Sequence, residues 1–256
     1  LRLGRDPVAG TAADGIVAHA PPQLVQSDTG LLLALDGDGE MALSQNNGVD
    51  WQPLSAPDAL SPTVAIAFAS VECEACFYAA SLEGLYCMPI DQHEWHELLT
   101  PPLVGEDSIV QLAVVAVAEQ VQIALGSAQG DVWWLDDEGR EWQQLEQPWR
   151  GVHLLSLFFA ADEQGDPLLH ALTAAENAQQ NYDIELWAFD DVDEEWSSLA
   201  MLESESPAVL TLSTDSALFL ATQNRLIKLF NNLESGELEV AQHFFADETR
   251  ITALAQ

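Results

Sequence analysis

Four tryptophans, Trp51, Trp95, Trp142 and Trp196, recur along the 256-residue chain in one local setting. Each follows a polar turn and opens a four-residue run that closes on leucine: Trp51-Gln52-Pro53-Leu54, Trp95-His96-Glu97-Leu98, Trp142-Gln143-Gln144-Leu145 and Trp196-Ser197-Ser198-Leu199. The gaps are 44, 47 and 54 residues. A fifth copy is degenerate, with Phe244-Phe245 in place of Trp, 49 residues after Trp196 when Phe245 is aligned. A period in the forties marks a repeat architecture, in which no unit buries its apolar surface alone and each must stack on the next.

Between the tryptophans the chain reads as short alternating or wholly apolar runs separated by turn residues, the pattern of strands. The second unit is the clearest, with strands expected over 63–70, 76–81, 85–90 and 94–99. The third places them at 109–117, 121–126, 131–135 and 141–145, the fourth at 152–160, 168–174, 184–189 and 195–199, and the fifth at 208–213, 217–222, 226–230 and 238–245. The first unit supplies three, 31–35, 40–44 and 50–54, while residues 250–255 are left over and match the other first strands in pattern. The expectation is an all-β fold, a β-propeller of five blades with four antiparallel strands each. Its ring would be closed by the C-terminal strand, inserted innermost in the first blade, which removes an open edge. Two alternatives stay open: residues 23–27 fill that innermost position, or the two ends of the chain build a sixth, partial blade. Residues 1–22, with Pro7, Pro21 and Pro22, are expected as an arm or outer strand, and 23–256 as a single domain.

The chain is 48% hydrophobic, which supplies a large core and argues against disorder. Its charge is lopsided, 42 Asp plus Glu against 7 Lys plus Arg, a net −35. Phosphate backbones and anionic membrane surfaces would be repelled, so neither nucleic acid nor membrane is an expected partner. A basic protein or a hard cation such as calcium stays compatible with that field, and so does plain solubility or adaptation to salt. Apolar runs such as 64–69 are far below the roughly 20 residues of a membrane span. No basic segment followed by an apolar stretch opens the chain, and the compartment stays open with the cytoplasm favoured. Three cysteines, Cys73, Cys76 and Cys87, are too few for a disulfide framework.

In an up-and-down blade the a–b and c–d turns share one end and the b–c and d–a connections the other. The expected c–d turns, 46–50, 91–94, 136–139, 190–195 and 231–237, are all acidic or amide-rich, which predicts one negative face. The opposite end takes proline-bearing loops, with Trp149, Arg150, Arg225 and Arg250 there or near the central channel. Ligand sites of closed β folds favour such mouths, so these four are the candidate binding residues, with Trp149 beside Arg150 preferred. The repeated tryptophans, sharing one blade position, read as packing between blades and not as sugar platforms.

Ser44-Gln45-Asn46-Asn47-Gly48-Val49-Asp50-Trp51 fits the pattern S-x-(D/N)-x-G-x-x-W and resembles the Asp-box, or bacterial neuraminidase repeat, of the c–d turn in propeller blades. Segments 136–142 and 190–196 are worn copies; the first keeps Gly139 and Trp142 but lacks the serine, and the second lacks the glycine. The mechanics suit the residues: the Asn side chain can bond the turn backbone, glycine takes a positive φ, and the indole packs beneath. In families carrying this motif it is structural, so the resemblance implies fold stability for Asn46, Gly48 and Trp51, not catalysis. Such families include sialidases, sortilin-like receptors, glycan-binding proteins and photosystem assembly factors. The sialidase pattern requires three arginines around a carboxylate and a Tyr–Glu pair. Here only Arg150, Arg225 and Arg250 are placed for it, and no flanking pattern marks them as that triad.

Cys73-x-x-Cys76 followed by His93-x-x-His96 is the one metal candidate, a donor set of the type that holds zinc tetrahedrally. Two buried thiols and two surface histidines are the plainer reading, so no metal and no cofactor is expected. Asp36-Gly37-Asp38-Gly39-Glu40 mimics the start of a calcium loop but reads better as a b–c hairpin turn, because Asp-Gly is a turn signal. A glycosidase would need converging carboxylates, for which Asp131, Asp183 and Glu185 are available without any sign that they converge. No nucleophile elbow, P-loop or H-E-x-x-H occurs. The expected function is therefore a non-enzymatic protein-interaction or assembly module with one acidic face and a protein partner, for which a basic character suits the charge. The alternative is a carbohydrate-binding propeller or a diverged glycosidase.

Overall fold

The alternation of side chains along a strand decides how this chain stacks. In the strand Glu74–Ser81, Cys76, Tyr78 and Ala80 meet a cluster shared with the following sheet, while Phe77 and Ala79 meet one shared with the preceding sheet. A strand apolar on both faces must be sandwiched, and the same holds for Gln120–Ser127, where Ile123 and Leu125 face one way and Ala124 the other.

The computed structural model describes residues 23–71, 74–103, 107–135, 141–161, 166–205, 210–214, 217–221, 225–231 and 238–244. Within them the strands pair into five sheets of four, antiparallel and adjacent in chain order throughout. The first sheet holds β1 (Gln23–Gln26), β2 (Leu32–Leu35), β3 (Met41–Ser44) and β4 (Gln52–Leu54). The second holds β5 (Thr63–Val71), β6 (Glu74–Ser81), β7 (Leu85–Pro89) and β8 (His96–Glu97), and the third β9 (Ile109–Val117), β10 (Gln120–Ser127), β11 (Val132–Leu135) and β12 (Trp142–Leu145). The fourth holds β13 (His153–Ala161), β14 (Pro167–Glu176), β15 (Tyr182–Asp190) and β16 (Glu195–Ser204), and the fifth β17 (Leu210–Thr214), β18 (Ala217–Ala221), β19 (Arg225–Asn231) and β20 (Leu238–Phe244). The first strands adjoin in order, β1 on β5, β5 on β9, β9 on β13 and β13 on β17. This is the architecture of a β-propeller. Among the described residues no helix is long and apolar enough to cross a membrane.

One expectation is corrected. The innermost place in the first sheet belongs to β1, which pairs with β2 through Gln23↔Leu35 to Gln26↔Leu32. Gln23 is held there by side-chain bonds to the next sheet, so the position does not need a strand from the C-terminus. Residues 250–255, and the N-terminal arm 1–22, lie outside the described residues.

One apolar cluster fills each junction between successive sheets. Leu33, Leu35, Phe77 and Met88 join the first to the second, and Tyr78, Leu85, Leu112 and Leu125 the second to the third. Val132, Leu157, Leu169 and Phe189 join the third to the fourth, and Leu172, Ile184, Leu186 and Ile227 the fourth to the fifth. At about 1.5–3 kcal/mol for each large side chain fully buried, these clusters outweigh the hydrogen bonds that cross between sheets.

Those few polar crossings are specific. The pairing of β5, β9 and β13 skips Val64, Val110 and Leu155 respectively, so each strand carries one bulged residue near its start. A bulge leaves backbone groups outside the ladder. Gln23 in β1 answers the first, with Nε2 donating to the Val64 carbonyl at 3.2 Å and Oε1 accepting from the Ile66 amide at 2.9 Å. Gln111 in β9 answers the third, donating from Nε2 to the Leu155 carbonyl at 3.1 Å. Gly126 lies opposite Gln111, and a Cβ there would strike the Leu154 side chain of the next sheet, so bare backbone lets the third and fourth sheets close. Hairpin turns are closed by side-chain acceptors: Asp36 Oδ1 takes the amides of Asp38 and Glu40, both at 2.9 Å, and Asn177 Oδ1 those of Gln179 and Asn181, both at 3.1 Å. The calcium-like segment is thus the β2–β3 turn.

His170 in β14 is 9% exposed, stacked on Phe158 with ring centroids 5.3 Å apart and donating from Nδ1 to the Leu168 carbonyl at 2.9 Å. Burial pushes its pKa below the ordinary histidine value, and the carbonyl bond opposes that shift.

Two outcomes follow from this packing. Gln111→Leu should lower the unfolding free energy by about 1–3 kcal/mol in denaturant titration, because it strands the Leu155 carbonyl, while exposed Gln129→Leu should change it by less than about 0.5 kcal/mol. For His170 the unfolded chain holds the proton more tightly than the folded protein, so its contribution to stability rises with pH through the window below the ordinary histidine value and is lost on acidification. His170→Asn should therefore lose less stability than the parent between about pH 7.5 and about pH 5.5 when both are melted side by side.

Candidate functional site

The turn from β3 to β4 is locked by its own side chains. Ser44 Oγ accepts the Gly48 amide at 2.9 Å and donates to Asn46 Oδ1 at 3.1 Å, and Asn46 Oδ1 also accepts the Asp50 amide at 2.8 Å. Asn46 Nδ2 donates to Asp50 Oδ2 at 2.9 Å, Gly48 has φ +82°, and Trp51 Nε1 donates back to the Gly48 carbonyl at 3.0 Å. The other repeated tryptophans sit at the same entry to the fourth strand and use their indoles differently. Trp142 donates to the Leu99 carbonyl of the preceding unit at 3.0 Å. Trp95 and Trp196 have no partner for the indole N–H among the described residues. Each of these three packs at the junction with the preceding sheet. Trp133 and Trp134, neighbours on β11, point to opposite faces, the first toward the second sheet and the second onto Phe159 and Phe189. Phe245, in the fifth copy, lies outside the described residues.

Trp149 follows β12 and is 8% exposed. Its indole donates to the Gly130 carbonyl at 3.1 Å, and its ring lies 5.3 Å from Trp187 and 5.0 Å from Trp196. A sugar-stacking platform needs an open ring face, and this ring is part of the core between the third and fourth sheets. Arg150 is exposed beside it. The two border a polar recess of about 320 Å³ between the β10–β11 turn, with Gln129 and Asp131, and the loop after β12, with Glu146 and Gln147. Arg225 opens β19 on the fifth sheet, away from this loop of the third. Arg250 lies outside the described residues.

The cysteine–histidine set falls partly outside the described residues. Cys76 stands within β6 and not in a turn, His93 sits in the turn after β7 with φ +55°, and Cys73 lies outside the described residues. Among the described residues no three His, Cys, Asp or Glu side chains come together to hold a metal. Cys76 meets Cys87 instead. The two thiols share a hydrogen bond, which draws the Cys87 thiol down to about 7 and pushes that of Cys76 up. Sequence reasoning missed this partner, although eleven residues across a tight hairpin put both on one face.

Of the carboxylates weighed for glycosidase chemistry, Asp183 accepts from Asn177 Nδ2 at 2.9 Å and Glu185 from the Ser198 hydroxyl. Both belong to β15, third from the inner edge of its sheet, and Asp131 precedes β11, third in its own. Carboxylates facing one another across a channel would come from the innermost strands. Elsewhere the acids collect in c–d turns: Asp91 and Glu94 in the second unit, and Asp190, Asp191, Asp193, Glu194 and Glu195 in the fourth, all exposed. The expected turns at 136–139 and most of 231–237 fall outside the described residues.

Trp149→Ala should destabilise the fold by about 3–5 kcal/mol in denaturant titration, the cost of emptying a buried aromatic site, whereas Arg150→Ala should stay within about 0.5 kcal/mol of the parent.

No protein-family model matches the chain, and no curated protein matches it. Among solved structures it is similar to BBS1N in the crystal structure of BBS1N in complex with ARL6DN, soaked with mercury. The two are 14% identical, with a TM-score of 0.59 over 90% of this chain and 71% of that one. In all, 384 solved chains match, so the fold by itself selects no activity. What the comparison shows is the fold: this chain is a β-propeller.

Proposed function

We propose that this chain is a non-enzymatic protein-interaction or assembly module, one propeller domain over residues 23–256, whose acidic c–d turns receive a basic segment of a partner protein. The β15–β16 turn carries the reading. Five of the six residues from Asp190 to Glu195 are carboxylates, all exposed, with only Asp190 engaged within the turn, accepting the amides of Val192 and Asp193 at 2.9 and 3.2 Å. Like charges crowded in so short a segment repel one another, and a cationic partner relieves that repulsion. At the tip Val192 is 86% exposed, as Val49 is 78% exposed in the first unit's c–d turn, so each turn offers an apolar contact beside its acids. The similar propeller BBS1N is seen in complex with ARL6DN, which supports a binding role. The interlocked Ser44, Asn46, Gly48 and Trp51 support kinship with Asp-box propellers, in which such turns stabilise blades.

Stopped-flow association with a lysine- and arginine-rich peptide tests the proposal. Neutralising Asp191, Asp193, Glu194 and Glu195 together should slow association about tenfold at low salt and much less at high salt. The control removes the same charge from exposed Asp58, Glu83, Glu146 and Glu176, which lie off the c–d turns. Equal slowing in both variants would reduce the effect to net charge and overturn the assignment.

A further inference from the structure

The second sheet holds a cluster that neither the blade repeat nor the acidic turns explain. Cys76 lies opposite Pro89, and Cys87 opposite Tyr78, so the two thiols are diagonal neighbours on one face of β6 and β7. Both are partly exposed at the rim of the cluster between the second and third sheets. His96 lies directly across from Cys87 on β8, its exposed ring set with Nε2 3.4 Å from Gln92 Oε1. The carboxylates of Glu74 and Asp91 act electrostatically on Cys76, so the rim is negative.

We propose that Cys76 and Cys87 form a two-thiolate site for a soft monovalent metal cation of the copper(I) class. The donor count decides the class. A structural zinc site is closed by four ligands, whereas among the described residues Cys76 and Cys87 are the two sulfurs brought together, with no group of three His, Cys, Asp or Glu side chains able to hold a metal. Thiolate donors select soft ions, and copper(I) accepts two sulfurs without a preformed tetrahedron. The exchange balances: one Cu⁺ and two thiols give a bis-thiolate complex of charge −1 and two released protons. The negative rim raises the local concentration of an arriving cation. The two thiols lie on β6 and β7; Asp91 of the second acidic turn borders them, and copper(I) binding needs no partner protein there.

The test is an anaerobic titration of the reduced full chain with copper(I), in competition with the chromophoric chelator bathocuproine disulfonate. The parent should take one copper(I) from the chelator. Cys76→Ser and Cys87→Ser should each weaken retention by about 100-fold, and Cys73→Ser by less than about threefold. A readout on the unmutated protein removes any dependence on how the variants fold: bound copper(I) should shield Cys76 and Cys87 from alkylation by iodoacetamide and leave Cys73 reactive, as resolved by peptide mass spectrometry. Failure to withdraw copper(I), shielding of Cys73 in place of either partner, or retention of stoichiometric zinc in preference to copper(I) would each overturn the assignment.

Discussion

Strands apolar on both faces cannot rest at a surface, and this requirement governs the molecule. Because β6, β10 and β14 present buried side chains alternately to the sheet before and the sheet after, none is satisfied until it is covered twice. Stacking in chain order is the cheapest way to meet that demand with short connections, and it produces the succession of junction clusters from Leu33–Phe77 to Leu186–Ile227. The charge distribution follows. With alternate positions on the inner strands taken by Ala, Val, Ile, Leu and Phe, a chain bearing 42 acids must carry them in turns and on outer strands, where water solvates them.

The polar crossings add register to what burial supplies in bulk. A greasy junction tolerates sliding, whereas Gln23 and Gln111 each reach backbone groups at one bulge and no other. Their contribution to stability is small beside that of the clusters. Their geometric effect is to fix how far along its neighbour each sheet sits. Trp142, bonded to the Leu99 carbonyl across the second junction, works in the same way.

What this packing leaves outside is where the proposed interactions lie. Trp149 combines an aromatic ring with an adjacent Arg150 and so suggests a ligand platform, yet the third junction absorbs its ring and the Gly130 carbonyl its N–H. The acids of the β15–β16 turn are exposed, with Asp190 accepting two amides of that turn, and Cys76 and Cys87 reach solvent at a rim. These features remain free to meet partners because they lie beyond the apolar stripe that the stacking needs.

The strands, the recurrent tryptophans and the Ser44–Trp51 turn were legible in the sequence because local physics sets them. Alternation over five to nine residues marks a strand, and a serine, an asparagine and a glycine at fixed spacing close a turn through bonds spanning at most four residues. The Cys76–Cys87 pair was within reach of the same logic, since a hairpin's register follows from its turn. Contacts between sheets are of another kind. The seat of β1 in the first sheet, the burial of Trp149 and the different surroundings of Trp142 and Trp196 all depend on groups brought together across junctions, some of them more than forty residues apart in sequence. Local pattern therefore determined the repeat and its strands. Tertiary structure alone decided which aromatic rings and thiols are core and which stay accessible, because burial belongs to the second surface that arrives and not to the strand itself.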